Sequence, residues 1–153
     1  MIPPGILRGR VLVAGIGREL RADDAAGLWL VRELGRYPRR RLICLECGAV
    51  PENYVAEIAR HNPETVILVD AAELGEAPGT FRFLTAAEVE SLDLSTHGVP
   101  LPLVMAEIEA RTGAQVHLLG IQPASLALGR ELSPQVHQTV VRLAQVLAQA
   151  ETG

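Results

Sequence analysis

Two carboxylates and one imidazole make a ligand set that a borderline divalent cation accepts, and three protein ligands leave coordination positions open for a substrate. Asp24, Asp70 and His97 supply such a set. Each stands where a strand pattern has just ended or a helix pattern is about to begin. The flanking segments read G-I-G-R-E-L-R-A-D-D-A-A-G at 15–27, V-I-L-V-D-A at 66–71 and S-T-H-G-V-P-L at 95–101. Two chemistries are open to such residues. A bound cation could polarise a carbonyl and acidify water while a carboxylate takes the proton, or Asp24 and Asp70 could share a proton without metal, as close carboxylates do.

Other reactive residues fit less chemistry. Cys44 and Cys47 are spaced C-x-x-C, but within a strand pattern, where residues three apart point to opposite faces; two reduced, buried thiols are expected rather than a redox pair at a helix start. His61, His117 and His137 fall near a helix end, in a strand and in the last helix, and read as structural or solvated. Gly15-Ile16-Gly17 after a strand, with Glu46 ending the next one, invites a dinucleotide-binding reading. Against it, Leu20 stands where the third glycine belongs, and Asp23 and Asp24 bring negative charge to the helix start that a pyrophosphate needs. Asp23 alone reads as a helix cap.

The elements that must position these residues alternate between strand and helix patterns with no low-complexity linker and no repeat. Strands are predicted at 10–16, 41–46, 65–69 and 115–121, with a short edge strand at 80–84 after the Pro78-Gly79 turn. Helices are predicted from about Asp23 to Gly35, over 52–60 behind Pro51, over 100–111 with Leu103, Val104 and Ile108 on one side, and from the capping pair Ser133-Pro134 onward. The last helix carries Val136, Val140, Leu143 and Leu147 at helical spacing. The continuous apolar run before Asp70 is that of a central strand buried on both faces. The fold class is therefore α/β: a single-domain three-layer sandwich, a mostly parallel twisted sheet of about five strands with helices on both faces. In such sheets ligands bind outside the carboxyl ends of the strands, where Asp24, Asp70 and His97 can meet in one exposed cleft.

Composition narrows the function. At 153 residues the chain fits one domain, 1–153, able to bury about 70% of its unfolded surface without disulfides. Aromatics at 3% leave an aliphatic core and few rings for stacking bases. A net charge of −4 argues against a nucleic-acid binder, and the one basic run, 36–41, reads as a solvated loop. All 14 cationic residues are Arg. With no signal-peptide pattern and no apolar run near the ~18 residues of a membrane span, a cytoplasmic protein without membrane contact is expected.

The segments R-A-D-D-A-A-G, P-E-N at 51–53, V-D-A-A-E-L-G-E-A-P-G at 69–79, S-T-H-G-V-P-L and L-G-I-Q-P at 119–123, in this order, resemble the endopeptidases that mature [NiFe] hydrogenases. The likeness is strongest to the branch serving formate-hydrogenlyase-type hydrogenases. It implies a hydrolase, often classed as aspartic-type, that removes the C-terminal extension of a hydrogenase large-subunit precursor after nickel insertion. It also implies that Asp24, Asp70 and His97 bind metal, with Asp24 and Asp70 catalytic. The nickel would be substrate-borne, and zinc or cadmium could replace it in the isolated protein. Two residues depart from the pattern: Arg18 replaces the usual Asn after G-x-G, and Glu46-Cys47-Gly48 replaces D-G-G. These departures keep open an inactive nickel- or precursor-recognition protein, and a nucleotide-binding oxidoreductase is a more distant alternative.

Overall fold

The computed structural model describes residues 2–38, 40–92 and 98–150; His97 lies outside them. Five strands, β1 (Val11–Ile16), β2 (Ile43–Gly48), β3 (Thr65–Ala71), β4 (Phe81–Leu84) and β5 (Gln115–Ile121), form one sheet in the order β2-β1-β3-β5-β4. The β1–β2, β1–β3 and β3–β5 pairs are parallel, and β4 lies antiparallel on β5 as an edge.

The alternation of side chains along a strand builds two cores from one sheet. Val11, Val13, Ile67 and Val69 join α1 (Ala26–Leu34) and α5 (Pro134–Gln149) on one face. Leu12, Ala14, Val66 and Leu68 join α2 (Val55–Arg60), α3 (Ala86–Val89) and α4 (Leu101–Thr112) on the other. β1 and β3 are buried along their whole length, as the unbroken apolar runs require.

Strand order decides where a ligand can enter. The chain leaves β1 for β2 at one edge, then returns to β3 on the opposite side of β1. The direction of winding therefore reverses between β1 and β3, and their carboxyl ends are where such sheets take ligands.

Glycine brings a helix down onto that crevice. A Cβ on Gly27 would lie 2.2 Å from the Val69 carbonyl oxygen and 2.5 Å from that of Ile16, so only hydrogen fits between α1 and the two strands. Gly17 is equally constrained, since its Cβ would meet the Asp24 carbonyl oxygen at 2.1 Å. The glycines of G-I-G thus serve close packing, which accounts for them without a phosphate.

Several boundaries differ from the sequence reading. β2 starts at Ile43 rather than 41, because its pairing with β1 begins at Leu12↔Ile43, and a register shift near its end carries it on to Gly48. The first helix starts only at Ala26, behind a 3₁₀ turn, Ala22–Ala25, whose first residue, Ala22, has a φ of 48°. β3 runs through Asp70 to Ala71, because β5 pairs with it that far, Asp70↔Gly120. Leu103 is 61% exposed, and Leu101, Val104, Met105 and Ile108 form the buried face of α4 instead. Cys44 and Cys47 do pack on opposite faces, as expected. Burial pushes the Cys47 thiol up to about 12, with Glu57 adding to the shift, so it is inert at neutral pH.

Candidate active site

Asp70 is the last acid-bearing position of a strand with no exposed residue, and its side chain alternates onto the α2–α4 face at the carboxyl end. Asp24 sits in the 3₁₀ turn that Gly17 and Gly27 let approach the ends of β1 and β3. The two are 0% and 2% exposed. They are buried rather than open in a cleft. Burial, and after it the negative charge of Asp24, pushes the Asp70 carboxyl well above its usual value of 3.8; the Ala71 N–H and the charge of Arg18 act the other way.

Each carboxylate has one satisfied oxygen and one orphan. Asp70 Oδ1 accepts from its neighbour Ala71 N–H at 2.9 Å, and Asp24 Oδ2 accepts from Arg18 N–H at 3.1 Å. Asp70 Oδ2 and Asp24 Oδ1 are buried without a hydrogen-bond partner among the described residues. Such groups are costly, and paired orphans at a sheet's switch point mark a place for an incoming proton or cation. Among the described residues no three His, Cys, Asp or Glu side chains are grouped to hold a metal ion.

Four further residues shape the site, and sequence reasoning gave them little or different weight. Asp23 does not cap its own helix. Its carboxylate accepts from Ala124 N–H (2.8 Å), Ser125 N–H (3.1 Å), Ser133 N–H (2.7 Å) and the Ser133 hydroxyl (2.8 Å), binding the loop after β5 to the turn that carries Asp24. Ser133 therefore spends its hydroxyl on Asp23 and makes no side-chain cap for α5. Gln122, buried, accepts from Leu74 N–H at 2.6 Å through Oε1 and donates through Nε2 to Glu73, holding the segment after β3. Its only sequence signal was its place in L-G-I-Q-P. Glu52 of P-E-N accepts from Val99 N–H at 3.4 Å and leaves its other oxygen buried and unpaired. Arg18, singled out for its departure from the family pattern, brings its Nε to 3.3 Å from Asp24 Oδ2.

The remaining candidates stand apart from this chemistry. Glu46 is forked by Arg32, at 2.9 and 3.2 Å, so it serves an ion pair between β2 and α1. Burial lowers the pKa of His117, whose Nε2 has no partner, consistent with a structural histidine.

Two neighbouring buried carboxylates at the switch point of an α/β sheet are groups of the kind that acid–base or metal-assisted hydrolysis uses. The sequence profile of the HycI hydrogenase maturation protease family matches residues 29–150, and the chain belongs to that family. That span includes Asp70 and stops short of Asp24. The hydrogenase 3 maturation protease of Escherichia coli is 29% identical over 71% of this chain and 69% of its own. The crystal structure of the [NiFe] hydrogenase maturation protease HycI from Thermococcus kodakarensis is similar with a TM-score of 0.83 and 35% identity, covering 92% of this chain and 90% of that one. The protease HybD from the same organism gives 0.70 and 27%, covering 92% and 100%. The chain is thus a hydrogenase maturation endopeptidase, a hydrolase. No helix among the described residues is long and apolar enough to cross a membrane.

Proposed function

We propose that this endopeptidase, acting as a single domain over 1–153 in the cytoplasm, removes the C-terminal extension of a [NiFe] hydrogenase large-subunit precursor, with Asp24, Asp70 and His97 engaging the nickel that the precursor carries. The observation that supports this most is the pair of buried, partnerless oxygens, Asp24 Oδ1 and Asp70 Oδ2. An orphaned carboxylate pair gains most from a cation that arrives with ligands of its own. Zinc or cadmium would fill the same donors in the isolated protein.

Nickel in the precursor supplies Lewis acidity toward the scissile carbonyl. The chain's own residues do the rest. Asp24, whose Oδ2 is engaged by Arg18, offers Oδ1 on the cation side of the site. Asp70, whose buried carboxyl favours its protonated form, releases that proton to solvent as the precursor's metal binds, and the resulting carboxylate is placed to take a proton from the attacking water and pass it to the departing amine.

Processing of nickel-loaded and nickel-free precursor, followed by electrophoresis, tests the reading. Wild type should shorten the loaded precursor alone, and Asp70→Asn, near-isosteric and without the charge, should lose at least about 100-fold in rate. Equal cleavage of both precursors would remove nickel gating, and full activity in Asp70→Asn would remove Asp70 from the chemistry.

A further inference from the structure

We propose that Arg18 is an internal counter-cation of Asp24 that disfavours free divalent ions at the site, so that a metal delivered by the precursor is preferred over one from solution. This rests on the reading of Asp24 and Asp70 as metal-engaging residues.

Arg18 contacts one oxygen of Asp24 twice. Its backbone N–H donates to Oδ2 at 3.1 Å, and its Nε lies 3.3 Å from the same atom. A carboxylate oxygen offers two lone pairs in its plane, so these two donors use up Oδ2 and leave Oδ1 alone for any incoming cation. Two-oxygen chelation by Asp24 requires the guanidinium to leave.

The second effect is charge. A divalent ion at Oδ1 would sit within a few ångströms of a fixed positive charge, in a place where burial weakens solvent screening. Arg18 and the metal thus compete for the same anion. The guanidinium is partly exposed, its side chain 32% against 3% for Asp24, so it can move toward water when a cation arrives. Free metal has to displace it with no other gain. A precursor adds peptide contacts and extra metal ligands, and these offset the displacement. The backbone donor remains in every variant at position 18, so the side chain's part can be isolated.

Calorimetric titration with Ni²⁺ alone, in a buffer that does not bind it, distinguishes the possibilities. Arg18→Gln removes the charge and keeps a polar arm of similar reach; it should bind Ni²⁺ at least about tenfold more tightly than wild type, and Asp70→Asn in the same background should abolish the gain. Arg18→Lys keeps the charge and should stay near wild type. Circular dichroism confirms that each variant is folded. Equal affinity in wild type and Arg18→Gln, with binding still lost in Asp70→Asn, would overturn the role of Arg18 and leave the metal site standing. Tightening by Arg18→Lys as large as by Arg18→Gln would overturn it too, because charge would not be the cause. Ni²⁺ binding indifferent to Asp70→Asn in every background would overturn the metal site itself, and the role of Arg18 with it.

Discussion

Asp70 works against the stability of the fold that holds it. Its carboxyl is pushed up by burial and then by Asp24, so the folded chain binds this proton more tightly than the unfolded chain does. The contribution to stability is full below the unfolded value near 3.8 and is lost as pH rises through the raised folded value. Asp70→Asn carries no such proton. In metal-free buffer its thermal midpoint should therefore come closest to wild type at or below about pH 4 and exceed it by several degrees near pH 8, read by circular dichroism across the range. A midpoint difference that does not change with pH would contradict the assigned burial effect. The acid itself was legible in the sequence, because a charged residue cutting off a β-branched apolar run has few structural uses. Asp24 was legible through its neighbours. The task of Asp23 was not, since its donors lie 101 to 110 residues away and nothing local distinguishes it from a helix cap.

Strands and helices were read well where periodicity is strong. β5 and the buried stripe of α5 follow directly from apolar spacing. Misplacements fell where pairing or packing overrides local pattern: β2 takes its start from β1, and Leu103 loses the core to Leu101 and Met105. The contact between α1 and the sheet had a sequence signal, the glycines at 15, 17 and 27, but a phosphate cradle and a tight helix crossing use the same residue. A methyl group separates those meanings. Gly27→Ala places a Cβ against the backbone oxygens of Val69 and Ile16, neither of which can turn aside, and should cost about 3 kcal/mol in urea unfolding. A loss below about 1 kcal/mol would mean that α1 can ride higher, and the Asp24–Asp70 arrangement would then not depend on it.

The molecule as a whole is closed by bonds between its first and last thirds. Arg21 and Gly129 form an isolated parallel bridge, Ala22 N–H donates to the Gly129 carbonyl at 3.0 Å, and α1 packs along α5. Asp23 is the centre of this closure. Asp23→Ala strips four donors of one acceptor and should destabilise by about 3 kcal/mol in urea unfolding while leaving the denaturant slope unchanged. A change under about 0.5 kcal/mol would show that water replaces the carboxylate and that the loop at 124–133 is held by other means. The alternation of elements foretold the three layers, but not this tie, because a pattern read along the chain carries no information on which loops meet.

That tie gives the site a place in time. A chain leaves the ribosome with its N-terminal residues first, and contacts close only when both partners have emerged. Asp24 and Asp70 are made early, and β1, β2 and β3 could pair before the rest exists. Yet the turn bearing Asp24 is fastened by Asp23 to residues as late as Ser133. A nascent chain halted before Ala124 holds both acids without any of these bonds, so the turn bearing Asp24 is fastened to the loop after β5 only once that strand has emerged.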